Sequence, residues 1–129
     1  MCHPCIPAVL VVDDDPVFCA IMQELLTSDG YKVHLAYDVH QALALLECCT
    51  PDLILSDIMM PEVDGICLVR KIRSAPAWAQ IPTIVISAKA MPEDRNKALE
   101  AGANAFVPKP FSIKQFRNEI TNYLPAHSG

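Results

Sequence analysis

The chain has 129 residues, 52% of them hydrophobic and 19% charged, with a formal net charge of -5. That length suits one domain around one continuous core, so a single unit over 1–129 is expected, with a core from about 8 to 124 and short tails. The acidic balance argues against sequence-independent nucleic-acid binding. The apolar runs, longest near Ala8 to Val12 and Ile84 to Ile86, are too short for a membrane span or a signal-peptide core. A cytoplasmic protein that touches neither nucleic acid nor membrane directly is the expectation.

Short β-branched apolar runs alternate with stretches of helical periodicity. Ala8–Val12 reads as the first strand. Pro16 then opens a helix in which Phe18, Ile21, Met22 and Leu25 fall at helical intervals, ending near Gly30. Lys32–Ala36 follows, then a helix with Val39, Ala42, Leu43 and Leu46. Leu53–Ser56 precedes a helical segment from Gly65 to Ser74 carried by Leu68, Val69 and Ile72. After Thr83–Ser87, the segment Pro92 to Ala101 has only Ala98, Leu99 and Ala101 as apolar anchors, so this fourth helix is expected to be the least firmly held. Gly102 closes it. Ala105–Val107 is the last strand; Pro110 stands before a helix with Ile113, Phe116, Ile120 and Tyr123, and Pro125 helps to end it. Glu47 to Pro51 and Ser74 to Ile81 read as loops. Runs starting roughly 20 to 30 residues apart have the spacing of βα units. Strands 1, 3 and 4 are almost wholly apolar, as in the middle of a parallel sheet covered on both faces. A five-stranded doubly wound α/β sandwich follows.

Six cysteines (Cys2, Cys5, Cys19, Cys48, Cys49, Cys67) lack regular spacing and read as reduced thiols. Cys2-His3-Pro4-Cys5 could be half of a zinc site, but no second pair stands at ligand spacing. For Cys48-Cys49, a helix end with one thiol in the core and one outside is preferred to a redox pair. His3, His34, His40 and His127 read as solvent or loop residues.

Doubly wound sheets bind ligands beyond the carboxyl ends of their strands. Those positions hold Asp13, Asp14 and Asp15 after strand 1, Asp57 after strand 3, Ser87 at the end of strand 4 and Lys109 after strand 5. Two like charges 4 Å apart repel by about 1 kcal/mol in water and about 4 kcal/mol at an effective dielectric near 20. Convergent carboxylates therefore need a cation. Lys109 supplies one charge, and an oxygen-only ligand set suits Mg²⁺, with Mn²⁺ able to substitute. Carboxylates, metal, lysine and hydroxyl around one point are the parts of phosphoryl transfer, whose transition state spreads negative charge over peripheral oxygens. Asp57, ending the central strand before a turn, is the candidate nucleophile, and Asp13 and Asp14 would hold the metal. The three aspartates could instead simply cap the first helix, but capping needs only one. Asp64-Gly65 reads as a turn. Lys109, between Pro108 and Pro110, reads as a positioned group.

From about Val9 to Leu124 the chain resembles response-regulator receiver domains. Val11-Val12-Asp13-Asp14-Asp15 looks like the family's acidic pair, Leu55 to Gly65 like its phosphoacceptor segment, Ile86-Ser87-Ala88 like its hydroxyl position, and Phe106-Val107-Pro108-Lys109-Pro110-Phe111 like its lysine–proline segment. The resemblance implies a flavodoxin-like sheet in the order 2-1-3-4-5, the order of chemotaxis receivers. It makes Asp57 the phosphoacceptor, with Asp14 and the backbone carbonyl of Met59 as further direct metal ligands and Asp13 acting mainly through water. Lys109 would pair with a phosphoryl oxygen, its bond to Pro110 would be cis, and Ser87 would hydrogen-bond the phosphoryl group. Phe106 takes the switch-aromatic position without a Tyr hydroxyl. The implied donors are histidine kinases or phosphotransfer proteins. An unknown downstream protein or output domain would read the face formed by helix 4, strand 5 and helix 5, and phosphorylation-linked dimerisation would be open to it. Met59 and Lys89, two residues after acceptor and hydroxyl, imply slow self-dephosphorylation. The domain would be no enzyme beyond its own phosphorylation and dephosphorylation. A haloacid-dehalogenase-like phosphatase would need a carboxyl where Met59 stands. A degenerate receiver that only binds protein would not need the full residue set.

Overall fold

A computed structural model describes residues 6–58 and 65–124. In it the periodicities resolve into β1 (Ala8–Val12), α1 (Pro16–Ser28), β2 (Lys32–Ala36), α2 (Val39–Cys48), β3 (Leu53–Ser56), α3 (Gly65–Ser74), β4 (Thr83–Ser87), α4 (Pro92–Ala101), β5 (Ala105–Pro108) and α5 (Ile113–Thr121). All strand pairs are parallel, in the order β2-β1-β3-β4-β5. The apolar strands β1, β3 and β4 fill the middle, and the edges β2 and β5 carry the half-exposed positions. This is the flavodoxin-like sandwich.

Side-chain alternation sorts the helices onto two faces. Val9, Val11, Leu53, Leu55, Ile84 and Ile86 pack with Cys19, Met22 and Leu26 of α1 and with Phe116 and Ile120 of α5. On the other face Leu10, Val12 and Ile54 meet Val39, Ala42 and Leu46 of α2 and Leu68 and Ile72 of α3. A third cluster joins Val85 and Ile58 to Ile66 and Val69 of α3 and to Ala98 and Ala101 of α4. Ala98 and Ala101 are the only apolar residues that α4 buries, so its sparse apolar anchoring is real. Its Leu99 is 37% exposed and does not contribute.

Local chemistry sets the boundaries. Asp15 caps α1, its carboxylate accepting from the amides of Val17 (2.9 Å) and Phe18 (3.4 Å), and Pro16 follows in the first turn. Ser112 and Gln115 form a reciprocal capping box at the start of α5. Gly102, at φ +118°, turns the chain out of α4. Its carbonyl accepts from Nε of Arg73 (2.8 Å), whose guanidinium also reaches the carbonyls of Ala79 and Ile81 and the side chain of Asn104. Arg73 thereby ties the end of α3 to both turns that lead into β4 and β5. Burial pulls its pKa down.

Several expectations need correction. Ile21 and Ile113 keep the helical period but are each 55% exposed, because they lie at the edge of the stripe. Tyr123 lies past the end of α5, where its hydroxyl donates to the carbonyl of Asn104. Glu47 and Cys48 belong to α2, and the segment before β4 forms tight turns that press Trp78 against the α2 and α3 core. Neither Cys48 nor Cys49 enters the core: Cys48 is exposed, Cys49 partly so, and their thiols lie 3.6 Å apart. His34 is half-buried on the edge strand β2, while His40 is exposed on α2. Cys2, Cys5, His3, His127, Pro125 and Asp64 fall outside the described residues. No helix among the described residues is long and apolar enough to cross a membrane.

Candidate functional site

Hydrogen bonding continues one step past the strands and gathers their ends. The amide of Asp13 donates to Ala36 (3.0 Å), that of Asp57 to Val12 (3.0 Å) and that of Lys109 to Ser87 (2.9 Å). Three segments distant in sequence thus enter one crevice at the reversal of strand order between β1 and β3.

Asp13 is 1% and Asp57 8% exposed, whereas Asp14 faces solvent. Carboxylate oxygens from the three lie within 4.8 Å of one another. One oxygen of Asp13 accepts from the amide of Asp15 (2.9 Å); the other accepts from Nζ of Lys109 (2.8 Å), which also reaches Asp57 (3.2 Å). Capping and clustering are divided along the triplet. Asp15 serves the helix and leaves Asp13 and Asp14 to the crevice.

Among the described residues, this cluster sets three carboxylates around one ammonium. Burial raises the pKa of Asp13, helped by the charge of Asp57, and the hydrogen bonds from Lys109 and the Asp15 amide do not offset it. Burial alone would lower the pKa of Lys109, but its bond to Asp13 and the charges of Asp57 and Asp13 prevail and hold it up. The lysine gains from the pair while the acidic side stays short of positive charge. A hard divalent cation matches that deficit and the all-oxygen donor set. Asp13, Asp14 and Asp57 are the residues that would hold it.

Around this cluster, Ser87 is fully buried and its Oγ accepts from the amide of Lys89 (3.1 Å). The Lys109–Pro110 bond is cis, as the resemblance implies. Phe106 is half-buried against the cluster that contains Ala98 and Val85. The ammonium of Lys89 turns to Asp94 (3.6 Å), a buried residue that also accepts from the amide of Met91. Cys19, beneath the site, donates its thiol to the carbonyl of Asp13 (3.3 Å), and burial pushes its pKa up to about 11, so it is inert rather than nucleophilic. The Met59 carbonyl lies outside the described residues.

Two residues of the site escaped sequence reasoning. Gly65 packs against the back of Asp57, where a Cβ would sit on the Asp57 carbonyl oxygen. A glycine in the first turn of α3, where most other residues favour a helix more, was the available signal. Phe18 lies under Lys109, its ring centroid 3.9 Å from Nζ. Its helical spacing marked it only as core.

The profile of the response regulator receiver domain family matches residues 9–121. The chain is 43% identical over 101 residues to a gliding motility regulatory protein of Myxococcus xanthus, matching 78% of this chain but only 13% of that protein's length. The fold superposes on the chemotaxis protein CheY4 of Vibrio cholerae with a TM-score of 0.88 and 27% identity, covering 93% of this chain and all of that one. It also superposes on the receiver domain of the sensor histidine kinase PA1611 from Pseudomonas aeruginosa (TM-score 0.84, 32% identity, 92% and 98% covered), a structure with a magnesium ion in its active-site cleft. Sequence, sheet order and the acidic crevice with its lysine agree, and the chain belongs to the response regulator receiver domain family.

Proposed function

We propose that this chain is one receiver unit over 1–129 that takes a phosphoryl group onto Asp57 from a phosphohistidine of a histidine kinase or phosphotransfer protein. Lys109 bridging Asp13 and Asp57 inside a carboxylate cluster is the observation that carries this reading. Asp57, Asp14 and the Met59 carbonyl would hold Mg²⁺ directly, or Mn²⁺ in its place, with Asp13 acting through water. The ion's contribution is neutralisation of phosphoryl oxygens. An oxygen of Asp57 forms the new bond to phosphorus as the bond to the donor imidazole breaks. Lys109, already within reach of Asp57, moves its charge onto a phosphoryl oxygen. Ser87 Oγ supplies a hydroxyl donor.

The product adds about 1.5 to 2 negative charges at one point, which Lys109 and Ser87 satisfy better in one arrangement than another. The readout is the α4–β5–α5 face, with Phe106 following Ser87. Lightly anchored α4 suits a moving element. Its reader is a downstream protein or output domain, or a second copy, and the setting is the cytoplasm.

The deciding experiment is intact-protein mass after incubation with Mg²⁺ and acetyl phosphate. A single phosphoryl adduct that needs both Mg²⁺ and Asp57, and is absent from Asp57→Asn, is expected. A folded wild type without adduct would leave only a protein-binding module. With Lys89 engaged by Asp94, slow loss of the phosphoryl group rests on Met59. Met59→Asn is therefore expected to hydrolyse severalfold faster, and an unchanged rate of decay in the same mass assay would remove that role.

A further inference from the structure

We propose that Phe18 is a positioning residue for Lys109, its ring face holding the ammonium over the acidic crevice by a cation–π contact. The inference rests on the phosphoacceptor reading, because it concerns the lysine of that same site.

Lys109 carries a flexible stem, and two carboxylates at 2.8 and 3.2 Å do not by themselves fix its head. Phe18 supplies a third contact, with Nζ 3.9 Å from the ring centroid, well inside the roughly 6 Å within which a ring quadrupole attracts a cation. The ring is itself held at both ends. Its backbone amide donates to the capping carboxylate of Asp15, which fixes the first turn of α1. The ring packs edge-to-face with Phe111, centroids 6.3 Å apart and planes at 86°, and Phe111 stacks on the buried Phe116 at 5.3 Å and 20°. An aromatic series therefore runs from the core of α5 to the ammonium, in the edge-to-face and stacked geometries that aromatic pairs favour.

The contact has a property that the two hydrogen bonds lack. In the proposed reaction Lys109 must exchange part of its hold on Asp57 for a phosphoryl oxygen. A hydrogen bond is directional, whereas a ring face attracts a cation over a broad area. The ammonium can change oxygen partners without leaving the ring. Phe18 and Lys109 line one apolar groove together with Ile21, Leu25, Phe111 and Ile113, so the ring and the lysine stem share a face. Plain packing is the competing account, since Phe18 borders the α1 and α5 core. Leucine would satisfy packing; only an aromatic ring satisfies the cation.

Three measurements separate these accounts. In Mg²⁺-dependent phosphorylation by acetyl phosphate, Phe18→Leu is expected to slow the rate about 3- to 10-fold, the factor carried by a partly desolvated cation–π contact. Phe18→Tyr is expected to stay within about twofold of wild type, since it keeps the ring. Mg²⁺ affinity by calorimetry should be the same in all three, because carboxylates hold the ion. In the unmodified protein, the ε-methylene protons of Lys109 should show an upfield ring-current shift by NMR that Phe18→Tyr retains and Phe18→Leu loses. Should Phe18→Leu not fold, Phe18→Met replaces it. Equal rates in wild type and Phe18→Leu, equal impairment in Leu and Tyr variants, or no ring-current shift in wild type would each overturn the proposal. Absence of any Asp57-dependent adduct in wild type would instead overturn the phosphoacceptor reading, while the NMR shift still tests the contact.

Discussion

Replacing Asp13 by asparagine is expected to make the metal-free protein more stable at neutral pH, read as a higher Tm. The sign follows from burial. The pKa of Asp13 is raised in the folded state, so its charged form costs stability there. That cost is absent below the ordinary carboxylate pKa of about 4, grows as pH rises toward the folded value, and is fully in force above it. Asparagine keeps the size and an oxygen for Lys109 but never ionises. The gap between variant and wild type should therefore close near pH 4 and be widest at neutral pH. Divalent cation should reverse the order. A ligand that binds only the folded state stabilises it in proportion to the logarithm of its concentration over Kd, and wild type presents one more carboxylate to the ion. Calorimetric melting in chelator and in excess Mg²⁺ checks both halves. A variant that melts at or below wild type in chelator would mean that the Lys109–Asp13 pair at 2.8 Å outweighs the burial of Asp13.

The elements and the polar ends of the strands were legible because each rests on a local signal. β-branched runs, helical spacing, Pro16, Pro92 and Gly102 placed the boundaries, and a doubly wound sheet then dictates that Asp13, Asp57, Ser87 and Lys109 meet at one edge. Sheet order came through the resemblance, since spacing alone does not fix which crossovers go left or right. What remained hidden depends on distance in space. A period of 3.6 marks Ile21 and Ile113 as apolar-face residues but cannot say that the face ends beside them in a groove. The partner of Lys89 is set by the turn into α4, which brings the buried carboxylate of Asp94 under it. Phe18 looked like any core aromatic, because its second role appears only once Lys109, 91 positions later, is folded above it. The cysteine pair failed for a related reason. Cys48 is the last residue of α2 and Cys49 its cap, and at that helix end Cys48 is exposed and Cys49 partly so.

Gly65→Ala is expected to cost about 2–4 kcal/mol of stability and to slow phosphorylation of Asp57 by more than about tenfold, although it adds only one methyl group. The methyl would lie on the carbonyl oxygen of Asp57 and within 2.9 Å of the Asp57 carbonyl carbon and the Ile58 Cα, all backbone atoms with no rotamer to yield. On the opposite side the Asp57 amide is bonded to Val12, and Gly65 itself donates to Ile58 at 2.9 Å. The chain can admit the methyl only by withdrawing the first turn of α3 or by twisting the peptide that aims the Asp57 carboxylate at Lys109. Either movement shifts the acceptor, and a displacement near 1 Å in a positioned group can cost about a hundredfold in rate. Gly102→Ala is the control. It forces a side chain into φ +118° and against the stem of Arg73, so it should destabilise as well, but at the foot of α4, away from the strand ends that carry Asp13, Asp57 and Lys109. Denaturant titration together with the acetyl phosphate mass assay should show both variants weakened and only Gly65→Ala slowed. A Gly65→Ala protein that phosphorylates at the wild-type rate would mean that α3 can retreat without moving Asp57, and the glycine would then serve the helix start alone.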